Sequence, residues 1–126
     1  MTIHESGEDY LEAILILGQE SPLVRSIDVA AFLGVTKPSV SRAMTILRNN
    51  ALVEMGVDGA LTLTDDGRKI AESMYERHRF FTELLTHLGV DKDVAAEDAC
   101  RLEHVISEES FQKLREHAQA FMEGRT

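Results

Sequence analysis

Ser26-Ile27-Asp28-Val29-Ala30-Ala31-Phe32-Leu33-Gly34-Val35-Thr36-Lys37-Pro38-Ser39-Val40-Ser41-Arg42 reads as two short helices broken at a glycine. Ser26 is placed to cap the first helix, Ile27 to Leu33, whose Val29, Ala30, Phe32 and Leu33 are apolar. Gly34 closes it. Thr36 caps the second, with Pro38 in the first turn, where a missing N–H removes no bond. Val40, Ala43, Met44 and Leu47 then form one apolar stripe as far as Asn49 or Asn50. Two helices joined in this way make a helix-turn-helix. The period changes directly afterwards: Leu52–Met55 and Ala60–Thr64 flank Gly56-Val57-Asp58-Gly59, and Asp58-Gly59 is a hairpin turn signal. Helix, glycine turn, helix and hairpin form a winged helix-turn-helix, whose second helix enters the major groove by its N-terminal turns. The candidate DNA-binding residues are Arg25, Thr36, Lys37, Pro38, Ser39, Ser41 and Arg42. Hydroxyls and a helix N-terminus suit phosphate, and Lys or Arg suits phosphate or guanine edges. The wing carries no basic tip, so it is expected to contribute little. The opposing view is that a basic helix face is simply solvated.

Helical patterning extends on both sides. Upstream, Ser6-Gly7-Glu8-Asp9 looks like a capped start, Tyr10, Leu11, Ile14, Leu15 and Leu17 recur at helical spacing, and Gly18 is a plausible stop. Downstream, Thr64 or Asp65 caps a long helix that reaches about Leu88 and stops at Gly89. Asp91 or Asp93 starts another to about Ile106. Ser107-Glu108-Glu109-Ser110 opens the last, through Phe111, Leu114, Ala118 and Phe121 or Met122. The expected fold is mainly α, with a winged helix-turn-helix in residues 1–66 and a helical domain in residues 67–126.

The chain has 126 residues, a net charge of −9 and one cysteine. Intrachain disulfides are excluded, and a reducing cytoplasmic location is expected. No apolar run is long enough for a membrane span, and the polar, acidic start is no signal peptide. The absence of Trp argues against a base-stacking RNA platform. An acidic protein is a poor partner for DNA, but the charge is unevenly spread. Residues 1–20 sum to −5, whereas residues 21–50 carry Arg25, Lys37, Arg42 and Arg48 against Asp28 alone, giving +3. There is no His-Glu-x-x-His, no glycine-rich phosphate loop and no Ser/His/Asp arrangement. An enzyme with a small-molecule substrate is therefore not expected.

Cys100, Glu103 and His104 stand at i, i+3 and i+4, one turn apart on a helix face. A thiolate, a carboxylate and an imidazole so placed can bind a transition metal. Asp9 and Glu12 share another helix face, and His78 offers a further imidazole. Each has a plainer explanation. A lone Cys packs like a small hydrophobe, Asp9 complements a helix dipole, Glu103 and His104 are surface residues, and Arg77-His78-Arg79 is a solvated charged run.

Five stretches carry a resemblance: Glu8-Asp9-Tyr10-Leu11-Glu12, Thr36-Lys37-Pro38-Ser39-Val40-Ser41, Leu61-Thr62-Leu63-Thr64 with Gly67, Arg77-His78-Arg79, and Asp98-Ala99-Cys100-Arg101-Leu102-Glu103-His104-Val105. In order and spacing the chain resembles the iron-dependent repressor family, that of the diphtheria toxin repressor and the manganese transport regulators. The resemblance implies a homodimer. Its N-terminal winged helix-turn-helix binds a palindromic double-stranded DNA operator, and its second domain binds metal and dimerises. A divalent cation activates it as a repressor. Position by position, the implied metal ligands are Asp9, Glu12, His78, Cys100, Glu103 and His104. In the iron branch Met stands at the position of Asp9 and Cys at that of Cys100. The manganese branch has Asp at the first, and its type member has Glu at the second. This chain is a hybrid. Asp9 with Glu12 favours Mn(II), with Fe(II) close behind, and Co(II), Ni(II) or Zn(II) as substitutes in vitro. Thr82 and Ala96 stand where the iron branch places an ancillary Glu and His, so that second site is not expected. A C-terminal SH3-like domain is expected to be absent from this short form. The competing reading is a winged-helix regulator that senses an organic ligand, or oxidation at Cys100, without metal.

Overall fold

The computed structural model describes residues 5–124, and of Glu5 and Ser6 only their place in a helix. The described elements are α1 (Glu5–Glu20), α2 (Ser26–Leu33), α3 (Lys37–Asn49), β1 (Val53–Met55), β2 (Leu61–Leu63), α4 (Asp65–His87), α5 (Lys92–Leu102) and α6 (Glu108–Met122). This is the mainly α winged helix-turn-helix that the sequence predicts, followed by helices. The chain packs as two compact units, one ending at Ser73 and one beginning at Met74, so the division falls within α4.

In the first unit, α1 runs through Gly18 instead of stopping there. The last turn keeps its bonding, with Ser21 N donating to Leu17 O at 3.0 Å. Pro22 disfavours helix at the residue before it and supplies the stop. The cap expected at Ser6 lies outside the described side chains. α2 begins one residue earlier than expected. Arg25 is its N-cap, and its backbone N–H donates to Asp28 Oδ2 at 2.9 Å, which draws Ser26 into the helix. Gly34 closes α2 in the left-handed region, at φ 68° and ψ 36°. Thr36 Oγ1 then accepts from Ser39 N at 3.3 Å to start α3. α3 turns Val40, Met44 and Leu47 into a core that includes Leu11, Val29, Leu52 and Leu61, and leaves Lys37, Ser41 and Arg42 exposed.

The wing pairs β1 with β2 antiparallel, Val53 opposite Leu63 and Met55 opposite Leu61. Leu61 N also donates to Val24 O at 2.8 Å, which ties the segment before α2 to β2. Arg25 Nε donates to Asp58 O at 3.0 Å, so that side chain lies on the turn of the wing.

α3 ends in two bonds characteristic of a left-handed cap, Leu52 N to Leu47 O at 2.9 Å and Ala51 N to Arg48 O at 3.0 Å. The residue at the left-handed position is Ala51, with φ 58°, where glycine is ordinarily found. An L-residue there costs about 1–2 kcal/mol, and glycine's extra unfolded-state freedom offsets roughly 0.5–1 kcal/mol of that. Ala51→Gly should therefore stabilise the protein by about 0.5–1 kcal/mol. Urea unfolding checks this, and a lower midpoint for the variant would contradict the strain assignment.

In the second unit, Asp91 caps α5 by accepting from Asp93 N and Val94 N, and Ser107 caps α6 by accepting from Ser110 N. Phe80, Phe81, Ala99 and Phe111 form the core, with Leu84, Ile106, Ala118 and Met122 packed on it. The rings of Phe80 and Phe81, and of Phe80 and Phe111, meet edge to face with centroids 5.2 and 5.5 Å apart. α5 ends at Leu102, four residues before the Ile106 expected from its pattern.

Candidate metal centre and nucleic-acid interface

The early end of α5 builds the candidate metal centre. Glu103 is the C-cap residue and keeps helical dihedrals (φ −60°, ψ −24°), with its N–H on Ala99 O at 3.0 Å. The chain then tightens, His104 N reaching Arg101 O at 3.4 Å and Val105 N reaching Leu102 O at 3.2 Å. The i→i+3 pattern of bonds narrows the turn. Cys100 therefore lies within α5, Glu103 at its cap and His104 in the turn beyond, rather than all three on one continuous helix.

Glu103 is the centre of the arrangement. It is 0% exposed, which overturns the surface explanation of this residue. His78 Nδ1, from α4, lies 3.2 Å from one carboxylate oxygen, and His104 Nε2 lies 3.3 Å from the other. The His104 side chain is 2% exposed. Neither approach has hydrogen-bond geometry, and both Glu103 oxygens lack a hydrogen-bond donor. A buried carboxylate left in that state is expensive, whereas a divalent cation satisfies it together with the imidazole lone pairs. A potential ligand atom of Cys100 also lies within 4.8 Å of one on Glu103. Cys100 itself is exposed, not the core residue that its amphipathic helix first suggests. Two imidazoles, one carboxylate and one thiol fit a first-row divalent metal. Asp9 and Glu12 belong to the first unit, one turn apart on α1, with Asp9 half-buried and Glu12 8% exposed.

One residue of this centre was misread from sequence. Arg77 is 7% exposed and not part of a solvated run, although Arg79 is exposed. Arg77 Nη1 donates to Glu103 O at 3.1 Å and to Ile106 O at 2.6 Å, and Nη2 donates to Glu108 Oε2 at 2.9 Å. Its guanidinium sits 5.3 Å from the centroid of Phe111. The last carbonyls of a helix have no partner within it and attract cations. Arg77 supplies that partner for α5, where no glycine or proline stands to end the helix. A signal was available: Arg77 interrupts the stripe Met74, Phe81 at helical spacing, where an apolar residue is due. Glu108 is held below its ordinary value of 4.5, first by the hydrogen bond from Gln112 and then by that from Arg77.

The candidate DNA-binding residues all fall in the first unit. Thr36, Lys37, Pro38, Ser41 and Arg42 are exposed at the start of α3, and Ser39 is half-buried. Ser39 Oγ accepts from Thr36 Oγ1 at 2.9 Å and from Arg42 Nη2 at 3.4 Å. The two hydroxyls and the guanidinium thus form one linked group beside the helix N-terminus. Arg25 stands apart from them, on the wing.

Residues 2–61 match the iron-dependent repressor N-terminal DNA-binding domain, and residues 64–123 match the iron-dependent repressor metal-binding and dimerisation domain. The chain is similar to the transcriptional regulator MntR of Escherichia coli O6:H1, at 37% identity over 108 residues, covering 86% of this chain and 70% of that protein. It is also similar to the diphtheria toxin repressor of Corynebacterium glutamicum, at 32% identity over 113 residues, covering 89% of this chain and 50% of the repressor. Among solved structures, a manganese-dependent transcriptional repressor in complex with manganese superposes with a TM-score of 0.80 at 31% identity, covering 90% of this chain and 52% of that one. The chain thus spans about half the length of these last two proteins. Among the described residues, no helix is long and apolar enough to cross a membrane. With a helix-turn-helix presenting basic side chains in one unit and a buried carboxylate set between two imidazoles in the other, the chain belongs to the iron-dependent repressor family of metal-dependent, DNA-binding transcriptional repressors.

Proposed function

We propose that this protein is a homodimeric repressor whose affinity for a palindromic operator is raised by Mn(II), with Fe(II) as the second choice of ion. The observation that carries the reading is Glu103, a buried carboxylate without a hydrogen-bond donor, flanked by His78 and His104. The proposed ligands are Asp9 and Glu12 from the first unit with His78, Cys100, Glu103 and His104 from the second. When bound, the ion supplies positive charge among the carboxylates. Asp9 and Glu12 are hard oxygen donors and favour Mn(II), while the Cys100 thiolate is softer and favours later ions. The similar solved structures of a manganese-dependent repressor and a manganese regulator support the first choice. Binding must displace protons from Cys100 and the imidazoles, so affinity rises with pH.

In a dimer, two copies of α3 read successive major grooves about 34 Å apart, and metal acts by fixing that spacing. Lys37 and Arg42 contact phosphate or guanine edges, and the Thr36 and Ser39 hydroxyls contact phosphate. Coupling of this kind is typically worth about 1–3 kcal/mol, so operator raises metal affinity by the factor by which metal raises operator affinity.

The test is an anaerobic titration, at stated salt, of duplexes selected from a random pool by the Mn(II)-loaded protein. Mn(II), Fe(II), Co(II) and Zn(II) are compared with metal-free protein. At least several-fold tighter binding with Mn(II) is expected, and equal affinity with and without every ion would end the reading. Lys37→Ala and Arg42→Ala should each weaken binding. Where the lost contact is to phosphate, the slope of log affinity against log salt should fall by about 1. Unchanged operator affinity in both variants would remove α3 from the interface.

A further inference from the structure

The geometry points to Arg77 as the positioning residue of the metal centre: by holding the carbonyls of Glu103 and Ile106, it fixes the turn that carries the Glu103 and His104 side chains. The inference rests on the reading of Glu103 and His104 as ligands, and it assigns a role to a residue that is itself no ligand.

Three observations converge. The first is reach. One buried guanidinium bonds the backbone at both ends of the four-residue turn, at Glu103 O and Ile106 O, and adds Glu108 in the first turn of α6. The second is what else holds the turn. Its own backbone bonds are the i→i+3 pair at His104 and Val105, at 3.4 and 3.2 Å, and such bonds are poorer in geometry than α-helical ones. Val105 is exposed and anchors nothing. Without Arg77, the carbonyls at the two ends of the turn, Glu103 O and Ile106 O, lose their donor, the first of them in a region closed to water. The third is adjacency. Arg77 precedes His78 in α4, so the backbone that presents one imidazole also launches the side chain that fixes the other two ligands. The Phe111 ring under the guanidinium limits its freedom, and the planar fork of arginine lets Nη1 hold both carbonyls while Nη2 reaches Glu108, a span that a single ammonium lacks.

Groups that orient metal ligands typically change affinity by about 10–100-fold when removed. In the full chain, Arg77→Met should lower Mn(II) affinity by at least about tenfold. It should also alter the visible absorption of the Co(II)-loaded protein, because the donor set around the ion is disturbed. Arg77→Lys, which keeps the charge and a single donor head, should lose less affinity and serves if the Met variant does not fold. Met44→Ala, a core truncation in α3, controls for loss of stability alone and should leave Mn(II) affinity within twofold of the parent. A separate readout needs no metal. In metal-free protein, the amides of His104 and Val105 should exchange with solvent at least tenfold faster in Arg77→Lys than in the parent, while the amides of the α6 interior do not. Parent-like metal affinity and parent-like exchange at His104 and Val105 would overturn the assignment. So would a loss of Mn(II) affinity in Met44→Ala equal to that in the Arg77 variants. If the parent itself binds no metal, the proposed function fails, while the exchange measurement still decides whether Arg77 holds the turn.

Discussion

Glu103→Gln is expected to make the metal-free protein more stable and, at the same time, to abolish its response to metal. The carboxylate is 0% exposed and both oxygens lack a donor, so without a cation its oxygens are buried unsatisfied, at a cost. A neutral amide of the same shape removes that penalty, and its NH₂ can donate to an imidazole nitrogen. The urea midpoint of the metal-free variant should rise, corresponding to about 1 kcal/mol. In the parent, a cation that binds only the folded state adds stability by mass action, about 2.7 kcal/mol at a hundred times its dissociation constant. In Glu103→Gln that increment should vanish, because the buried carboxylate that both His78 and His104 approach is replaced by a neutral amide, a far weaker ligand. Melting curves with and without Mn(II), on both proteins, separate the two effects. A variant that is less stable than the parent without metal, yet still stabilised by Mn(II), would show that Glu103 is a structural carboxylate and no ligand.

Gly67→Ala is expected to be the most damaging glycine-to-alanine change among the described glycines. A Cβ at Gly67 would collide with Leu52 O and lie 3.0 Å from Leu52 C, and both are backbone atoms that cannot swing aside. The neighbouring bonds show why the approach is so close. Thr64 N donates to Leu52 O at 3.1 Å, Thr64 Oγ1 donates to Ala51 O at 2.8 Å, and Gly67 N donates to Thr64 Oγ1 at 3.1 Å. Separating Leu52 from α4 breaks this set and pulls on β1 at its first residue. Overpacking usually costs about 1–3 kcal/mol, and a clash with backbone should reach or exceed the top of that range. Gly18 is the control. Nothing lies within 4 Å of a Cβ there, and in a helix Ala is favoured over Gly by about 0.5–1 kcal/mol. Gly18→Ala should therefore raise the urea midpoint while Gly67→Ala lowers it sharply. Equal effects in the two would mean that the approach of α4 to Leu52 is not as close as described.

These two glycines mark where the sequence stops being informative. Both stand among helix formers, and their difference lies in what faces them: open space for Gly18, and a carbonyl fifteen residues earlier for Gly67. The helix-turn-helix was legible because its signals are local. Thr36, Pro38 and Gly34 act within a turn of themselves, and each does what its chemistry predicts. α5 was misjudged because its end is imposed by Arg77, twenty-six residues before Glu103, and no local residue announces it. The candidate ligands could be named from the spacing of Cys100, Glu103 and His104 and from the family resemblance. That Glu103 is the most enclosed of them, and Cys100 exposed, depends on how α4 and α6 pack around the turn. Arg25 was grouped with the residues of α3 because it shares their charge. The strand-like bond from Leu61 to Val24 places it on the wing instead.

That placement bears on how wings can be exchanged between relatives. The hairpin, Leu52 to Thr64, contains no arginine or lysine of its own, and among the described residues the cation bonded to its tip arrives from outside it, through Arg25 Nε on Asp58 O. A transplant cut at the hairpin ends would leave this cation behind, together with the bond from Leu61 N to Val24 O that holds its segment against β2. The portable module therefore begins before α2, and chimeras of this fold should be joined upstream of Leu23.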